Sequence, residues 1–402
     1  MERPKAFGSG GELGNDVSGG SDSVSDRMLN VFQPSLGEDE LEAVRRVFQS
    51  NWIGKGVVTG QFEAAFAHHV GVDRTLVRSV ASCTEALFQS MGLLGLNPGD
   101  EVVMPTISFV GAGNAVAGNG LRPVFCDVDS RTLNPTAKLI EECVTPRSRA
   151  VLILHYGGVP CAMDEIVDMV RRRNLLLIED SACSVASSYD GCACGTFGDV
   201  GAWSFGPTKA LTTGDGGMIY CRTLEMSDRA EKAVCWGLIQ KSGYANAVDS
   251  KWWEFEISGF GRHAMMNDIA SAIGLEQLKK LASFIDRRRE VHETYDRELA
   301  NLDWLERPPP IPERARSSYY FYWIQMAPER RDRLAHFLRT RKIYTTFRYH
   351  PLHCVKSYGA TTRLPKAEQA ASRTLCLPLH QSLSLSDVGR VVESIRQFGR
   401  TG

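Results

Sequence analysis

Lys209 stands alone among small, hydroxylated and glycine residues. It closes the run Ser204-Phe205-Gly206-Pro207-Thr208-Lys209, and Thr212-Thr213-Gly214-Asp215-Gly216-Gly217 follows. The apolar runs Val200-Gly201-Ala202-Trp203 and Met218-Ile219-Tyr220 lie on either side. The stretch therefore reads as strand, turn, strand, with the lysine on the turn. An exposed lysine, with a pKa of about 10.4, is a poor nucleophile. A lysine held beside other groups can lose its proton and attack a carbonyl, forming a Schiff base. A surface lysine on a glycine-rich hairpin would show the same residues.

A second stretch lies about 30 residues upstream, within the span of one βαβ unit. It is Leu175-Leu176-Leu177-Ile178-Glu179-Asp180-Ser181-Ala182, a short apolar run ending in two carboxylates and small residues. Buried parallel strands read this way, and ligands bind at their carboxyl ends in open α/β sheets. A carboxylate there can hold a protonated ring nitrogen. A lysine for an aldehyde and an acid for a pyridinium nitrogen are what pyridoxal phosphate (PLP) requires. Either acid could instead cap a following helix.

Positioning these groups takes a sheet. Leu76-Val77-Arg78-Ser79-Val80-Ala81 runs as a strand into Ser82-Cys83-Thr84-Glu85, which opens a helix. Free backbone N–H groups there make a phosphate site, although a serine or threonine cap alone would look alike. The strand 100–105 opens into Thr106-Ile107-Ser108-Phe109, where Phe109 can stack on an aromatic cofactor or fill the core. Strands at 122–128 and 150–155 and a helix at 163–172 continue the alternation, which predicts a mostly parallel sheet covered on both faces. Helices are also expected after residue 37 and at 62–70, with the loop Asn51-Trp52-Ile53-Gly54-Lys55-Gly56 between them. No dinucleotide or Walker glycine signature is present.

Composition narrows the class. The 402 residues are 43% hydrophobic and 23% charged, enough for a large core or two domains. A net charge of -1 gives no basic field for nucleic acid. The 11 Cys and 9 His lack metal-ligand spacing, so no metal is expected, and reduced thiols fit a cytoplasmic protein. No apolar run has the length of a membrane span, and no signal-peptide core opens the chain. Residues 1–28, rich in Gly, Ser and Asp, read as a disordered tail. Residues 29–285 read as a large PLP-binding domain and 286–402 as a smaller C-terminal α/β domain. A helix at 266–281, a second charged helix through 287–290 and a polar excursion at 241–253 are expected in the later part.

With Lys209, Asp180, Thr84 and Phe109 in this order, the chain resembles the DegT-type sugar aminotransferases, PLP enzymes of the aspartate aminotransferase type I fold. Arg348-Tyr349-His350-Pro351-Leu352-His353 and Leu377-Pro378-Leu379-His380 also match that family, and the likeness runs from about Leu36 to the end of the chain. The resemblance implies that Lys209 forms the Schiff base and Asp180 pairs with the pyridinium nitrogen. It implies that Phe109 stacks on the ring, and that Cys83, Thr84, Glu85 and Ser204 lie at the phosphate. Trp52, Lys55, Tyr320, Arg348 and His350 lie where family members meet the sugar or a partner chain. Cys183 stands where the family often has glutamine beside the cofactor hydroxyl, and a thiol is a weak donor. Cys83 replaces a common glycine. Either His263 or Asn267 matches the position of an asparagine that reaches the phosphate across a dimer interface. The lysine is retained, unlike in the dehydratase branch.

The implied activity moves an amino group from L-glutamate to a nucleotide-linked keto sugar in amino sugar biosynthesis, in a cytoplasmic homodimer. The run Trp252-Trp253-Glu254-Phe255 to Met266-Asn267-Asp268 resembles members that aminate C4 of a 4-keto-6-deoxyhexose. Rival readings are an aminotransferase for a cyclitol or aminoshikimate-type ketone, a non-catalytic PLP-binding regulator, and a binding protein without cofactor.

Overall fold

The computed structural model describes residues 27–239 and 254–401. The expected tail up to residue 26, the excursion at 241–253 and the Trp252-Trp253 pair lie outside the described residues.

Two helices, α1 (Glu38–Gln49) and α2 (Val57–Val70), lead into β1 (Val77–Val80) and α3 (Cys83–Leu93). The alternation continues through β2 (Glu101–Pro105), α4 (Val110–Gly118), β3 (Arg122–Cys126), α5 (Ala137–Glu141), β4 (Ser148–Leu154), α6 (Met163–Arg172) and β5 (Leu176–Asp180). A short hairpin, β6 (Ser188–Tyr189) and β7 (Cys192–Ala193), precedes β8 (Val200–Ser204) and β9 (Gly217–Cys221). Then come α7 (Leu224–Val234), α8 (Asp268–Glu298), β10 (Ala315–Arg316), β11 (Tyr322–Gln325), α9 (Pro328–Thr340), α10 (Pro365–Arg373), β12 (Thr374–Leu377) and α11 (Leu385–Thr401).

The main sheet has the order β1-β9-β8-β5-β4-β2-β3. Strands β8, β5, β4, β2 and β3 pair in parallel, and β9 runs antiparallel to both β8 and β1. Successive strand residues face opposite sides, and both sides are apolar. Leu152, Ile178 and Ile219 join one core, while Val151, Ile153 and Leu177 join another. That double burial is why these strands read as near-continuous apolar runs. It also fixes where the chemistry falls. Strand β1 is parallel to β8, so the carboxyl ends of β1, β2, β5 and β8 share one edge. The four segments singled out above all leave the sheet there.

The expectation of two helices near 266–290 is corrected: α8 is one helix of 31 residues. At 1.5 Å per residue it extends about 46 Å. No proline interrupts it, and its partners change along its length. Ala272 and Leu281 pack against the large sheet's helices and core, whereas Val291 and Tyr295 join the core of β11, β12, α9 and α11. Residue 285 thus lies mid-helix, where the packing changes side without a break in the chain.

An N-terminal strap ties these parts together. Leu29 N donates to Lys342 O (2.8 Å), Leu29 O accepts from Tyr344 N (2.8 Å), and Val31 O accepts from Leu379 N (3.2 Å). Ser35 O accepts from Gln277 Nε2 on α8 (2.7 Å).

Candidate active site

Strand β5 ends in two buried carboxylates that alternate sides. Glu179 turns to the loop before β8. Its Oε1 accepts from Gly198 N (2.6 Å), and its Oε2 accepts from Gly195 N (2.8 Å) and lies 3.2 Å from His155 Nε2. Asp180 turns the other way. Its Oδ1 accepts from Ala182 N (3.1 Å) and lies 3.8 Å from Cys83 Sγ. Burial pushes the Asp180 carboxyl up from its usual range, against the pull of the Ala182 N–H and the Lys209 charge.

Lys209 sits on the turn between β8 and β9, as the sequence predicts. Phe205 anchors that turn: its N donates to Gly216 O (2.9 Å) and its O accepts from Thr213 N (2.9 Å). The Phe205 ring is fully buried among Phe62, Phe66 and their neighbours. The lysine is half-buried, with Nζ 4.7 Å from the centre of the Tyr320 ring. Burial opposes its charge, but Tyr320, Cys183, Asp180 and Cys83 outweigh it and hold the amine above its ordinary pKa. Only the neutral amine can attack a carbonyl.

The first turn of α3 forms another wall. Ser82 Oγ caps the helix by accepting from Glu85 N (3.1 Å). The Glu85 carboxylate pairs with Arg262 (3.2 Å) and accepts from Gln89 Nε2 (2.9 Å). Gly217, the first residue of β9, allows the close approach: a Cβ there would meet Cys83 N at 2.6 Å. Gly111 does the same for Phe109 and Thr84, since its Cβ would meet Thr84 Oγ1 at 2.9 Å and the Phe109 ring at 3.1 Å. Phe109, at the N-cap of α4, is 44% exposed, and its ring lies 5.7 Å from that of Tyr349. Ser204, half-buried at the end of β8, accepts from Gly206 N (3.4 Å). Buried Cys183 lies 3.7 Å from the Tyr349 hydroxyl, and burial pushes its thiol pKa up.

Tyr320 closes the far side. Its ring stacks on Phe32 of the strap at 5.4 Å, and the Arg348 guanidinium lies 5.0 Å over Phe32. Behind Tyr320, the fully buried Arg288 guanidinium is 6.0 Å from the ring and donates to Gln381 Oε1, Tyr319 O and Leu379 O. Burial lowers its pKa to about 10, so it stays charged.

Lys209, Asp180, Cys83, Cys183, Tyr320 and their neighbours thus meet around one chamber. Trp52 and Lys55 bond within their own loop and to α2. Trp52 Nε1 donates to Lys55 O (3.2 Å), and Lys55 Nζ pairs with Glu63 (3.3 Å). Asp268 anchors that loop through Gly56 N and Thr59. His350 is exposed. Among the described residues no hydrogen bond or ion pair joins Trp52, Lys55 or His350 to the chamber. Asn267 caps α8 through Ala270 N, and His263 stacks on Trp236 at 4.5 Å.

Sequence reasoning passed over Phe32, His155 and Arg288. His155 does follow an apolar strand as Asp180 does, which is a usable signal. The other two carry none without the fold.

The sequence model of the DegT/DnrJ/EryC1/StrS aminotransferase family matches residues 34–396. A dTDP-4-dehydro-2,3,6-trideoxy-D-glucose 4-aminotransferase of Saccharopolyspora spinosa is 50% identical over 371 residues, 92% of this chain and 96% of the relative. GDP-perosamine synthase of Escherichia coli O157:H7 is 32% identical over 378 residues, 92% of this chain and 99% of its own. The crystal structure of the aminotransferase TlmJ from Streptoalloteichus hindustanus superposes with a TM-score of 0.89 at 53% identity, covering 93% of this chain and 99% of that one. On the match to the family model and the identity to these relatives, the chain belongs to the DegT/DnrJ/EryC1/StrS aminotransferase family.

Proposed function

We propose that this aminotransferase works with PLP held between Asp180 and Lys209, and that it moves an amino group from L-glutamate to C4 of a nucleotide-linked 4-keto-6-deoxyhexose. The observation that carries the reading is a buried acid and a buried-edge lysine at one end of a parallel sheet, beside the N-terminus of α3. The chamber fits such a group. It offers an amine for the aldehyde, an acid for the ring nitrogen and an aromatic wall in Phe109. Two buried hydroxyls next in sequence to Phe109 and Asp180, Ser108 Oγ and Ser181 Oγ, have no partner among the described residues. Cys83, Thr84, Glu85 and Ser204 would hold the phosphate at the helix N-terminus, and Cys183 would face the ring hydroxyl. The Saccharopolyspora relative's name supports C4 as the position of transfer.

Bound PLP supplies an electrophilic carbon for the amine and a ring that draws electrons from the donor Cα. Asp180, placed opposite the ring nitrogen, would keep a proton on it. Lys209 Nζ, once neutral, takes the proton from the donor Cα and later delivers one to C4 of the acceptor. Tyr320, Arg348 and His350 would meet substrate. Trp52 and Lys55 fit a site completed by a second copy of the chain, since Phe48, Trp52, Ile53 and Val57 leave an exposed apolar surface around them. Among the described residues no helix is long and apolar enough to cross a membrane; we place the reaction in the cytoplasm.

The test is an absorbance spectrum of the purified protein, then borohydride trapping and peptide mapping. A cofactor band trapped on Lys209, with transfer from glutamate to a dTDP-linked 4-keto sugar, is expected. A colourless protein, or trapping on another lysine, defeats the reading.

A further inference from the structure

We propose that Phe32, on the N-terminal strap, is a positioning residue that holds Arg348 by its ring face, leaving the guanidinium N–H groups free for an anionic substrate group. The inference rests on the aminotransferase reading above and deepens it.

Arg348 is half-buried, yet among the described residues its side chain makes no ion pair and no hydrogen bond. Several other arginines here are tied to acids: Arg147 to Glu101 (2.7 Å), Arg373 to Glu306 (2.7 Å), Arg173 to Glu141 (2.8 Å). What Arg348 has is the Phe32 ring, 5.0 Å from its guanidinium carbon. A cation on an aromatic face is held without using its donors. A carboxylate partner would use two of them and cancel the charge.

The ring itself is fixed. It stacks on Tyr320 at an interplanar angle of 19° and packs 5.6 Å from Phe321. Backbone bonds pin the strap just before it, at Leu29 and Val31, and a side-chain bond pins it after, at Ser35. One aromatic stack therefore carries Arg348 at Phe32 and Lys209 at Tyr320. An unpaired guanidinium that, like the Lys209 amine, lies close enough to Cys183 to act on its thiol suits a forked oxyanion. The carboxylate of the amino donor and the diphosphate of the acceptor both have that chemistry.

Steady-state kinetics of the PLP-loaded enzyme, with each substrate varied separately, tests this. Phe32→Leu keeps apolar bulk and removes the ring. It should raise the KM of one anionic substrate about three- to tenfold. The cofactor absorbance should not change, and kcat should stay within about twofold. The substrate whose KM moves identifies the anion. Phe32→Tyr should restore the wild-type KM. Arg348→Gln should raise the same KM, and the double variant should be no worse than Arg348→Gln alone. Fully additive losses, or a fall in kcat at unchanged KM, overturn the proposal while leaving the aminotransferase reading intact. A wild-type protein with no cofactor band sinks both. Should Phe32→Leu fail to fold, Arg348→Gln and Phe32→Tyr carry the test, and a kcat loss without a KM change in Arg348→Gln overturns it.

Discussion

The two faces of β5 treat a buried carboxylate in opposite ways. Glu179 and Asp180 are neighbours, both almost wholly inside the protein, at 0% and 2% exposure. Glu179 is braced by two backbone N–H groups and His155, and these bonds hold the loop that feeds β8. Asp180 receives one backbone N–H and a distant thiol. An ion taken out of water and left short of donors costs several kcal/mol in a real protein. A braced acid fixes geometry. An underserved acid is tolerated where its charge has another use, and that is the side on which Lys209 lies.

The contrast can be broken by substitution. The largest effect belongs to Lys209→Ala, which should cut transamination by at least about 10⁴-fold, beyond the usual range for one acid–base group. Its melting temperature should stay near wild type; residual activity within tenfold would remove Lys209 from the chemistry. Asp180→Asn should lower kcat by about 10²- to 10³-fold. Because it removes a poorly served buried charge, it should melt no lower than wild type. A large drop in stability would mean that Asp180 is a brace after all. Glu179→Gln should do the reverse. It strands part of a satisfied network, so denaturant titration should show a loss of about 3 kcal/mol, with the cofactor band retained in the folded fraction.

A third buried group sharpens the comparison. His380 Nδ1 has no hydrogen-bond partner among the described residues, and burial, then the Arg288 and Arg27 charges, lower its pKa from 6.5 to about 4. Between those values the unfolded chain binds a proton that the folded chain refuses. Its contribution is therefore complete above pH 6.5 and is lost as pH falls toward 4. The size is about 3 kcal/mol. His380→Gln should flatten that part of the stability profile; an unchanged slope between pH 6.5 and 4.5 would show that the imidazole is already charged in the folded state.

Much of the chamber was legible because its residues sit where apolar strands stop. Small residues after β8 and acids at the end of β5 read as ligand ends of a parallel sheet, and the composition of both stretches carries that signal. Which acid faces Lys209 was legible only through the family resemblance, which named Asp180, and not from the two residues themselves. It depends on where Gly195 and Gly198 return to the sheet, a fact of tertiary packing. The unbroken course of α8 was hidden for a related reason: its apolar stripe changes side between Leu281 and Val291, so its periodicity looked like two helices. Phe32 offered least of all. Its importance comes from pairing with residues roughly 290 to 320 positions later, and no local pattern announces such a contact.

The strap also sets a timetable for synthesis. Leu29 leaves the ribosome early, but the backbone groups it needs, at Lys342 and Tyr344, emerge only after most of the chain, and Leu379 later still. At about 5–20 residues per second that wait is of order tens of seconds. The large sheet can form in the meantime, while the Tyr320 side of the chamber stays unfinished. A nascent or prematurely ended chain therefore holds its lysine and its acid without the aromatic floor beneath them, and only a completed polypeptide seats the first strand of contacts.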